Sequence, residues 1–422
     1  MLQGGLSMLL KEKLSQFGPG LLYAGAAVGV SHLVQSTRAG AEFGFQLVAI
    51  VILVNILKYP VFELGPRYAA ATGRTLLDGY HQIGTWAVGI YFLLSVLTMF
   101  IVMGAISIVT AGLFAQLTGI PLDVPILAML LLVLSVLILG FGHYSLLDRS
   151  MKFIMIVLTI STLFALIFSF FAPIEKQVEF ETTFNFLESA HILFLVALIG
   201  WMPAPIDISI WHSVWSVSKN REQGYTIPLS QALLDFKVGY WGTTVLAVCF
   251  LTLGALVMYG TPETPASNSS EFAKQFIGFY TTSLGQWAFP IIALAAFATM
   301  LSTLLTCLDA YPRTLRRSTE LLFPRLDSLT YHNKIYWYWL ILTALGTIAL
   351  LHFFLRDMRA MVDLATTVSF VLAPILAILN YIALNRPEVP AYAKLRGASQ
   401  YAYLASTGML IAFSLWFLAY KP

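Results

Sequence analysis

The feature that most constrains this chain is a pair of prolines in the middle of an apolar stretch. Residues 192–215 are long and apolar enough to cross a lipid bilayer, yet they include Pro203 and Pro205. Because proline lacks an amide donor and disfavours helical geometry in the preceding residue, no undisturbed helix can run through both positions. A plain proline kink is one interpretation. Broken helices followed by an ionisable residue, here Asp207, are more typical of transporter binding sites, so we predict a substrate site at this break.

The composition is that of an all-α polytopic membrane protein. Hydrophobic residues make up 58% of the chain and charged residues only 11%. The net charge of +3 is too small to indicate a nucleic-acid partner, so the lipid bilayer is the expected partner. Cys249 and Cys307 both fall in apolar stretches, where we interpret them as small buried side chains rather than a disulfide.

Apolar stretches of about 20 residues predict eleven transmembrane helices in a single membrane domain, residues 1–422. The predicted spans are 18–38, 46–71, 85–117, 125–144, 151–173, 190–216, 230–259, 284–312, 335–354, 362–385 and 401–419. Residues 7–17 predict a short amphipathic helix on the membrane surface. The polar stretch 260–283 predicts a flexible loop.

The distribution of lysine and arginine predicts the orientation in the membrane. With the N-terminus in the cytoplasm, fifteen of these residues fall in inner segments and five in outer segments, while four lie within or beside spans. We therefore expect the N-terminus inside and, after eleven spans, the C-terminus outside. The expected location is the cytoplasmic membrane of a prokaryote, with the protein as a monomer.

The first span carries a second interruption. Gly25 and Gly29 weaken the helix in mid-span, and polar side chains that are costly against lipid follow at once. These polar residues are Ser31, His32, Gln35, Ser36 and Arg38. Breaks five spans apart predict two inverted five-helix repeats, residues 18–173 and 190–385, plus one extra helix, residues 401–419. This is the architecture of the leucine-transporter fold.

Several short motifs occur in the same order as in one known family. They are Gly18-Pro-Gly-Leu-Leu, Arg38-Ala-Gly-Ala-Glu-Phe-Gly-Phe45, Gly119-Ile-Pro-Leu122, Met202-Pro203 and His212-Ser213. In these motifs the chain resembles the Nramp (natural resistance-associated macrophage protein) divalent-metal transporters. The resemblance implies the leucine-transporter fold and secondary transport by alternating access, in which one group of helices rocks about a midplane site.

The same resemblance identifies family ligands that are missing here. Nramp transporters bind metal through Asp-Pro-Gly-Asn in the first helix and Ala-x-x-Met-Pro-His in the sixth. Residues 29–32 stand in place of the first motif and residues 199–204 in place of the second, so only Met202 matches a side-chain ligand. The third span, which in the family offers carboxylates for proton passage, has no acidic residue over 98–117. Because a dication needs anionic oxygen or nitrogen ligands when it leaves water, we expect no bound metal.

Two substrate classes remain open. For an organic or anionic solute, which we favour, half-helices beginning near Ser31 and Ile206 would direct amides and positive dipole ends at the cavity. The alternative is a divalent metal in a rebuilt site of His32, Met202 and Asp207. The predicted substrate contacts are Gly29, Ser31, His32, Gln35, Ile199, Trp201, Met202, Ala204, Asp207 and Thr366.

Ionisable residues within spans are the candidates for proton transfer or ion coupling. They are His32, Asp207, His212, Lys58 and Glu63. Purely structural ion pairs, Lys58 with Asp207 and Glu63 with Arg67, are the alternative interpretation. The sequence has no nucleotide-binding glycine loop, so we expect transport driven by a gradient, with H⁺ or Na⁺ as the coupling ion or with none.

Two other protein classes fit less well. A transporter-like sensor would be expected to carry a long soluble output domain, and the sequence contains no such stretch. A membrane hydrolase would need a motif such as His-Glu-x-x-His or Gly-x-Ser-x-Gly, and neither occurs. We therefore expect a transporter with no enzymatic activity and no cofactor.

Overall fold

The computed structural model describes residues 18–140, 144–171, 177–353 and 357–420, without the side chains of residues 144–155, 178, 329 and 330. Within these ranges every regular element is a helix. The predicted surface helix at residues 7–17 lies outside the described residues.

Fifteen α-helices follow one another through the described residues. The first eight are α1 (Pro19–Ala27), α2 (Thr37–Phe43), α3 (Val48–Thr72), α4 (Leu76–Ile83), α5 (Thr85–Thr118), α6 (Val124–Gly140), α7 (Tyr144–Ser169) and α8 (Ser189–Trp201). The others are α9 (Asp207–Gln223), α10 (Leu229–Val257), α11 (Ser269–Leu284), α12 (Phe289–Leu322), α13 (Leu329–Phe353), α14 (Met358–Leu384) and α15 (Ala398–Ala419). A π-helical turn, Ser31–Ser36, leads into α2.

Each of the eleven predicted spans coincides with one of these helices or with two successive ones. Seven described helices are each long and apolar enough to cross a membrane: α3, α5, α10, α12, α13, α14 and α15. The first and sixth spans are interrupted, as predicted, the first between α1 and α2 and the sixth between α8 and α9.

The prediction of a flexible loop over residues 260–283 is wrong, because α11 occupies the second half of it. The Asn268 side chain accepts hydrogen bonds from two amides of the first turn of α11, so the helix is capped. Phe272, Phe276 and Tyr280 follow at four-residue spacing and are buried against α5 and α7. The polar residues at the start of this stretch concealed a helical apolar face.

On the predicted cytoplasmic face, the structure has one helix that was not predicted and one that is longer than predicted. Helix α4 lies between the second and third predicted spans, where no helix was predicted, and Thr75 and Asp78 form a capping box at its start. Helix α12 continues through Pro312 to Leu322, ten residues beyond the predicted end of the eighth span. Its added turns pack against α4.

The interrupted helices lie at the centre of the molecule. Helix α10 packs against α1, the π-helical turn, α2 and α3, while α14 packs against α8. Helices α5 and α12 pack along each other, and α12 also contacts α1 and α9. The two breaks are therefore enclosed by protein, which broken backbone within a membrane requires.

Candidate functional site

The first break lies between α1 and the π-helical turn. The Ser31 hydroxyl donates a hydrogen bond of 2.8 Å to the carbonyl oxygen of Ala27. The Thr303 hydroxyl of α12 lies 2.9 Å from the carbonyl oxygen of Gly25 and 3.3 Å from that of Val28. Neutral hydroxyl groups therefore satisfy the carbonyls that the end of α1 leaves without helical partners.

The second break covers residues 202–206. Helix α8 ends at Trp201 and α9 begins at Asp207, as the two prolines predict. The peptide bond between Met202 and Pro203 is cis. None of the residues between the two helices is in a regular element.

The two breaks touch each other around a small cavity. The Ser31 hydroxyl lies 3.2 Å from the carbonyl oxygen of Pro203. Beside this contact is a cavity of about 20 Å³, which has room for about one water molecule. Its polar and aromatic lining residues are Ser31, Thr303, Cys307, Trp201 and Trp211. The rest of the lining is aliphatic or proline, and no carboxylate or imidazole of the described residues takes part.

His32 and Met202 face away from this cavity. The His32 ring is fully buried, with Nε2 3.0 Å from the carbonyl oxygen of Thr243 and Nδ1 2.8 Å from the Ser31 hydroxyl. Because a carbonyl oxygen only accepts, Nε2 donates to Thr243. Met202 packs in a separate apolar cluster with Ile199 and residues of α3, α10 and α14.

Gly29, which the resemblance places at the position of the family's aspartate, is packed against α12. A Cβ at this position would lie 2.8 Å from Cγ2 and 3.0 Å from Oγ1 of Thr303. Thr303 therefore occupies the space into which a larger side chain at position 29 would extend. In this chain the glycine at position 29 and the packing of α12 are matched to each other.

Asp207 lies on the other side of the second break from His32. It is the first residue of α9, where its negative charge stabilises the positive end of the helix. Its side chain does not line the central cavity. His32 and Met202 lie in separate surroundings, and within the described ranges no three His, Cys, Asp or Glu residues form a group that could hold a metal ion.

The remaining coupling candidates are in separate places. The Lys58 ammonium donates hydrogen bonds to the carbonyl oxygens of Ile199 (2.6 Å) and Gly200 (3.0 Å) in the last turn of α8, so the suggested ion pair with Asp207 is not formed. Glu63 forms the local pair with Arg67 that four-residue spacing favours.

His212 is buried on the predicted cytoplasmic side of the breaks. Its Nδ1 lies 3.2 Å from the Ser216 hydroxyl, and the ring borders a cavity of about 10 Å³ near Asp235. His212 therefore lies between the central cavity and the start of α1, and does not line the central cavity itself.

Four other predicted contacts are not in the cavity lining. Ile199 and Ala204 are buried elsewhere, and the Thr366 hydroxyl donates to the carbonyl oxygen of Val362 in its own helix. Gln35 lies in a polar cluster toward the predicted outer face. Of the ten predicted substrate contacts, Ser31 and Trp201 line the cavity in this conformation, and the Trp201 indole also donates to the Ser369 hydroxyl at 2.8 Å.

An ion pair that the sequence interpretation missed closes the cavity toward the predicted outer face. Arg38 is 1% exposed and its Nη1 lies 2.8 Å from Oδ1 of Asp363 in α14. Gln35 bonds to both partners. A second pair, Arg359 with Glu42 at 3.2 Å, lies beside it. Beyond these pairs is an open vestibule of about 320 Å³. Arg38 was visible as a charge in a span, but its partner lies 325 positions away.

The predicted cytoplasmic side is closed by two further contacts. The Gly20 amide at the start of α1 donates to the Asp235 carboxylate of α10 at 2.7 Å. Arg317 of α12 pairs with Asp78 of α4 at 2.5 Å. The structure is thus closed toward both faces, and the small central cavity lies between the closures.

Comparison with known proteins identifies the family. A family model described as natural resistance-associated macrophage protein-like matches residues 20–420. The chain belongs to the Nramp family. An uncharacterized protein of Pasteurella multocida is 35% identical over 97% of this chain and 93% of its own length. A divalent metal cation transporter, MntH, of Brucella suis is 26% identical over 60% of this chain and 57% of its own length.

Solved structures show the same fold. A manganese transporter of Eremococcus coleocola has a TM-score of 0.71 at 14% identity, covering 96% of this chain and 86% of that one. The structure of MhsT in complex with L-phenylalanine has a TM-score of 0.63 at 14% identity, and the match covers 94% of this chain and 97% of that one. The predicted leucine-transporter-like fold is confirmed, and this Nramp protein is a secondary transporter rather than an enzyme. The boundaries of the two inverted repeats stay a prediction.

Proposed function

We propose that this Nramp-family transporter carries a small organic solute rather than a divalent metal ion. The observation that supports this proposal is the neutral lining of the central cavity: two tryptophans, two hydroxyl groups, a thiol and aliphatic side chains. A dication that leaves water needs several anionic or strongly polar ligands, and among the described lining residues none carries a negative charge.

The lining favours a solute with an apolar body and few polar groups. Trp201 and Trp211 provide flat apolar walls, and the hydroxyls of Ser31 and Thr303 provide the hydrogen-bonding groups. Asp207 already neutralises the positive end of α9, which makes that end less attractive to an anion than the sequence suggested. We therefore favour an uncharged or zwitterionic solute over a simple anion.

A metal substrate is the competing possibility, because two relatives carry metal names. It would require His32, Met202 and Asp207 to turn toward one point, although His32 is held by Thr243 and Ser31 and Met202 packs in a different cluster. The organic proposal requires no such rearrangement, only an expansion of the cavity.

A ligand screen on the purified protein tests the proposal. Thermal unfolding is measured with Mn²⁺, Mg²⁺ and Ni²⁺ and with a panel of small amino acids, amides and carboxylic acids. A solute at 100 times its Kd should stabilise the folded state by about 2.7 kcal/mol. We expect this stabilisation with an organic solute, and its loss in Trp201→Ala. Trp287→Ala is the matched control, because Trp287 is 67% exposed and lies outside the cavity.

Binding of a metal ion instead of an organic solute would contradict the proposal. Saturable binding of Mn²⁺ by calorimetry, with no stabilisation by any organic compound, would overturn the organic assignment while leaving the family and the fold unchanged.

A further inference from the structure

Lys58 is a buried charge in the middle of α3, ten residues from the start of that helix at Val48. Its side chain is 1% exposed, and it borders an apolar, lipid-facing groove between α3, α8, α14 and α15. No carboxylate of the described residues forms an ion pair with it. A lone lysine at such a depth costs about 2.5–3.5 kcal/mol on insertion scales, so something in the fold must compensate for its charge.

The compensation comes from the broken end of α8. The ammonium donates to the carbonyl oxygens of Ile199 at 2.6 Å and Gly200 at 3.0 Å. These carbonyls belong to the last turn of a helix that stops at Trp201 and form the negative end of the helix dipole. The Ile199 carbonyl oxygen also accepts from the Met202 amide at 3.3 Å, which caps the helix. In transporters with broken helices, half-helix ends of this kind coordinate the coupling cation.

The other broken end is treated differently. The carbonyls at the end of α1 accept from the neutral hydroxyls of Ser31 and Thr303. Among the described residues, a cationic group contacts the carbonyls at the end of α8 but not those at the end of α1, and that group is the Lys58 ammonium. A lysine ammonium has three donors and a compact charge, which makes it a chemical equivalent of a small monovalent cation in a carbonyl site.

We propose that Lys58 is a resident cation, which takes the place of a soluble coupling cation at the end of α8. It holds α8, and with it the cavity residue Trp201, in the closed position without Na⁺. The inference rests on the proposed function, because a cavity lined without anionic residues offers a mobile cation no alternative ligands. Lys58 is a positioning residue in this scheme, since it acts on the cavity through the backbone of α8.

The native thiol Cys307 reports closure directly, because it lines the central cavity. The sequence has two cysteines, so Cys249→Ser leaves Cys307 as the one thiol in the chain. The protein is placed in nanodiscs, where both faces are accessible, and the rate of Cys307 modification by a charged methanethiosulfonate is measured. With Lys58 present, we expect slow modification that is the same in Na⁺ and in choline at equal ionic strength.

Lys58→Ala removes the cation and leaves space for a small one. We expect modification of Cys307 to become roughly tenfold faster, and to slow again, saturably, as methylammonium or Na⁺ is added. Lys58→Met is the matched control, because its side chain removes the charge but fills the space. It should be modified as fast as Lys58→Ala and should not respond to methylammonium.

Three results would overturn the proposal: modification that depends on Na⁺ when Lys58 is present, unchanged modification in Lys58→Ala, or faster modification that no cation reverses. The first can be measured even if the variants fail to fold. The assay uses no transported solute, so its failure and the failure of the solute screen are separate results.

Discussion

At the residue scale, Gly29 of the first break and Thr303 of α12 are in close packing contact. Thr303 fills the space beside Gly29 with its methyl group and uses its hydroxyl on the free carbonyls of α1. The two positions therefore form one packing unit. A side chain added at position 29 would meet Thr303 of α12 at its first carbon atom.

Gly29→Ala should accordingly destabilise the protein by about 1–3 kcal/mol, the usual effect of overpacking. Thr303→Ser removes the Cγ2 atom that the new Cβ would strike and keeps the hydroxyl, so the double variant should regain most of that stability. Denaturant unfolding in detergent measures both. Gly89→Ala is the control, because a Cβ there meets nothing within 4 Å, and it should be neutral or slightly stabilising. Equal loss in the single and the double variant would show that this contact is not the cause.

At the element scale, the Arg38–Asp363 pair holds α2 and its π-helical turn against α14. It connects one of the interrupted helices to a continuous one, so it can break only if these elements separate. Arg38 is buried, and Glu42 of its own helix lies farther from it, at 3.6 Å, than Asp363 does, at 2.8 Å. Weakening the contacts of a buried guanidinium is costly, which makes the Asp363 pair a strong closure of the outer side.

Asp363→Asn should therefore open the cavity toward the predicted outer face. In sealed vesicles of the Cys249→Ser protein, we expect an impermeant thiol reagent added on that face to modify Cys307 about tenfold faster, a change of about 1.4 kcal/mol in the closing equilibrium. Glu63→Gln is the control, because it breaks an ion pair that lies within one helix. An unchanged rate in Asp363→Asn, or an equal increase in Glu63→Gln, would count against a specific outer closure.

At the scale of the whole molecule, the two closures lie on opposite sides of one small cavity. The outer one joins α2 to α14, and the inner ones join α1 to α10 and α4 to α12. Alternating access requires that one side opens while the other stays closed. In this structure both sides are closed.

Arg317→Gln, which breaks the inner pair with Asp78, should give the mirror image of the outer variant. We expect faster modification of Cys307 by reagent added on the predicted cytoplasmic face and no increase from the other face. The Arg316–Glu320 pair lies within α12, so Arg316→Gln serves as the matched control. If Arg317→Gln increased modification from both faces, the pair would be holding the whole bundle together rather than closing one side.

The sequence by itself determined the membrane class, the positions of the two breaks and the family, because these depend on apolar run length, on proline and glycine chemistry and on short local motifs. The sequence did not reveal α11, because the polar residues before it suggested a loop. Its apolar residues recur at four-residue spacing, and packing against α5 and α7 buries them.

Only the tertiary structure decided which side chains meet in the cavity. Ser31 and His32 are neighbours in the sequence, yet Ser31 faces the second break while His32 faces Thr243 of α10. Lys58 bonds to carbonyl oxygens about 140 positions away, not to the aspartate that charge alone suggested. The physical reason is that the rotation of each helix, and the partner of each buried charge, are set by packing between distant elements, which local sequence patterns do not encode.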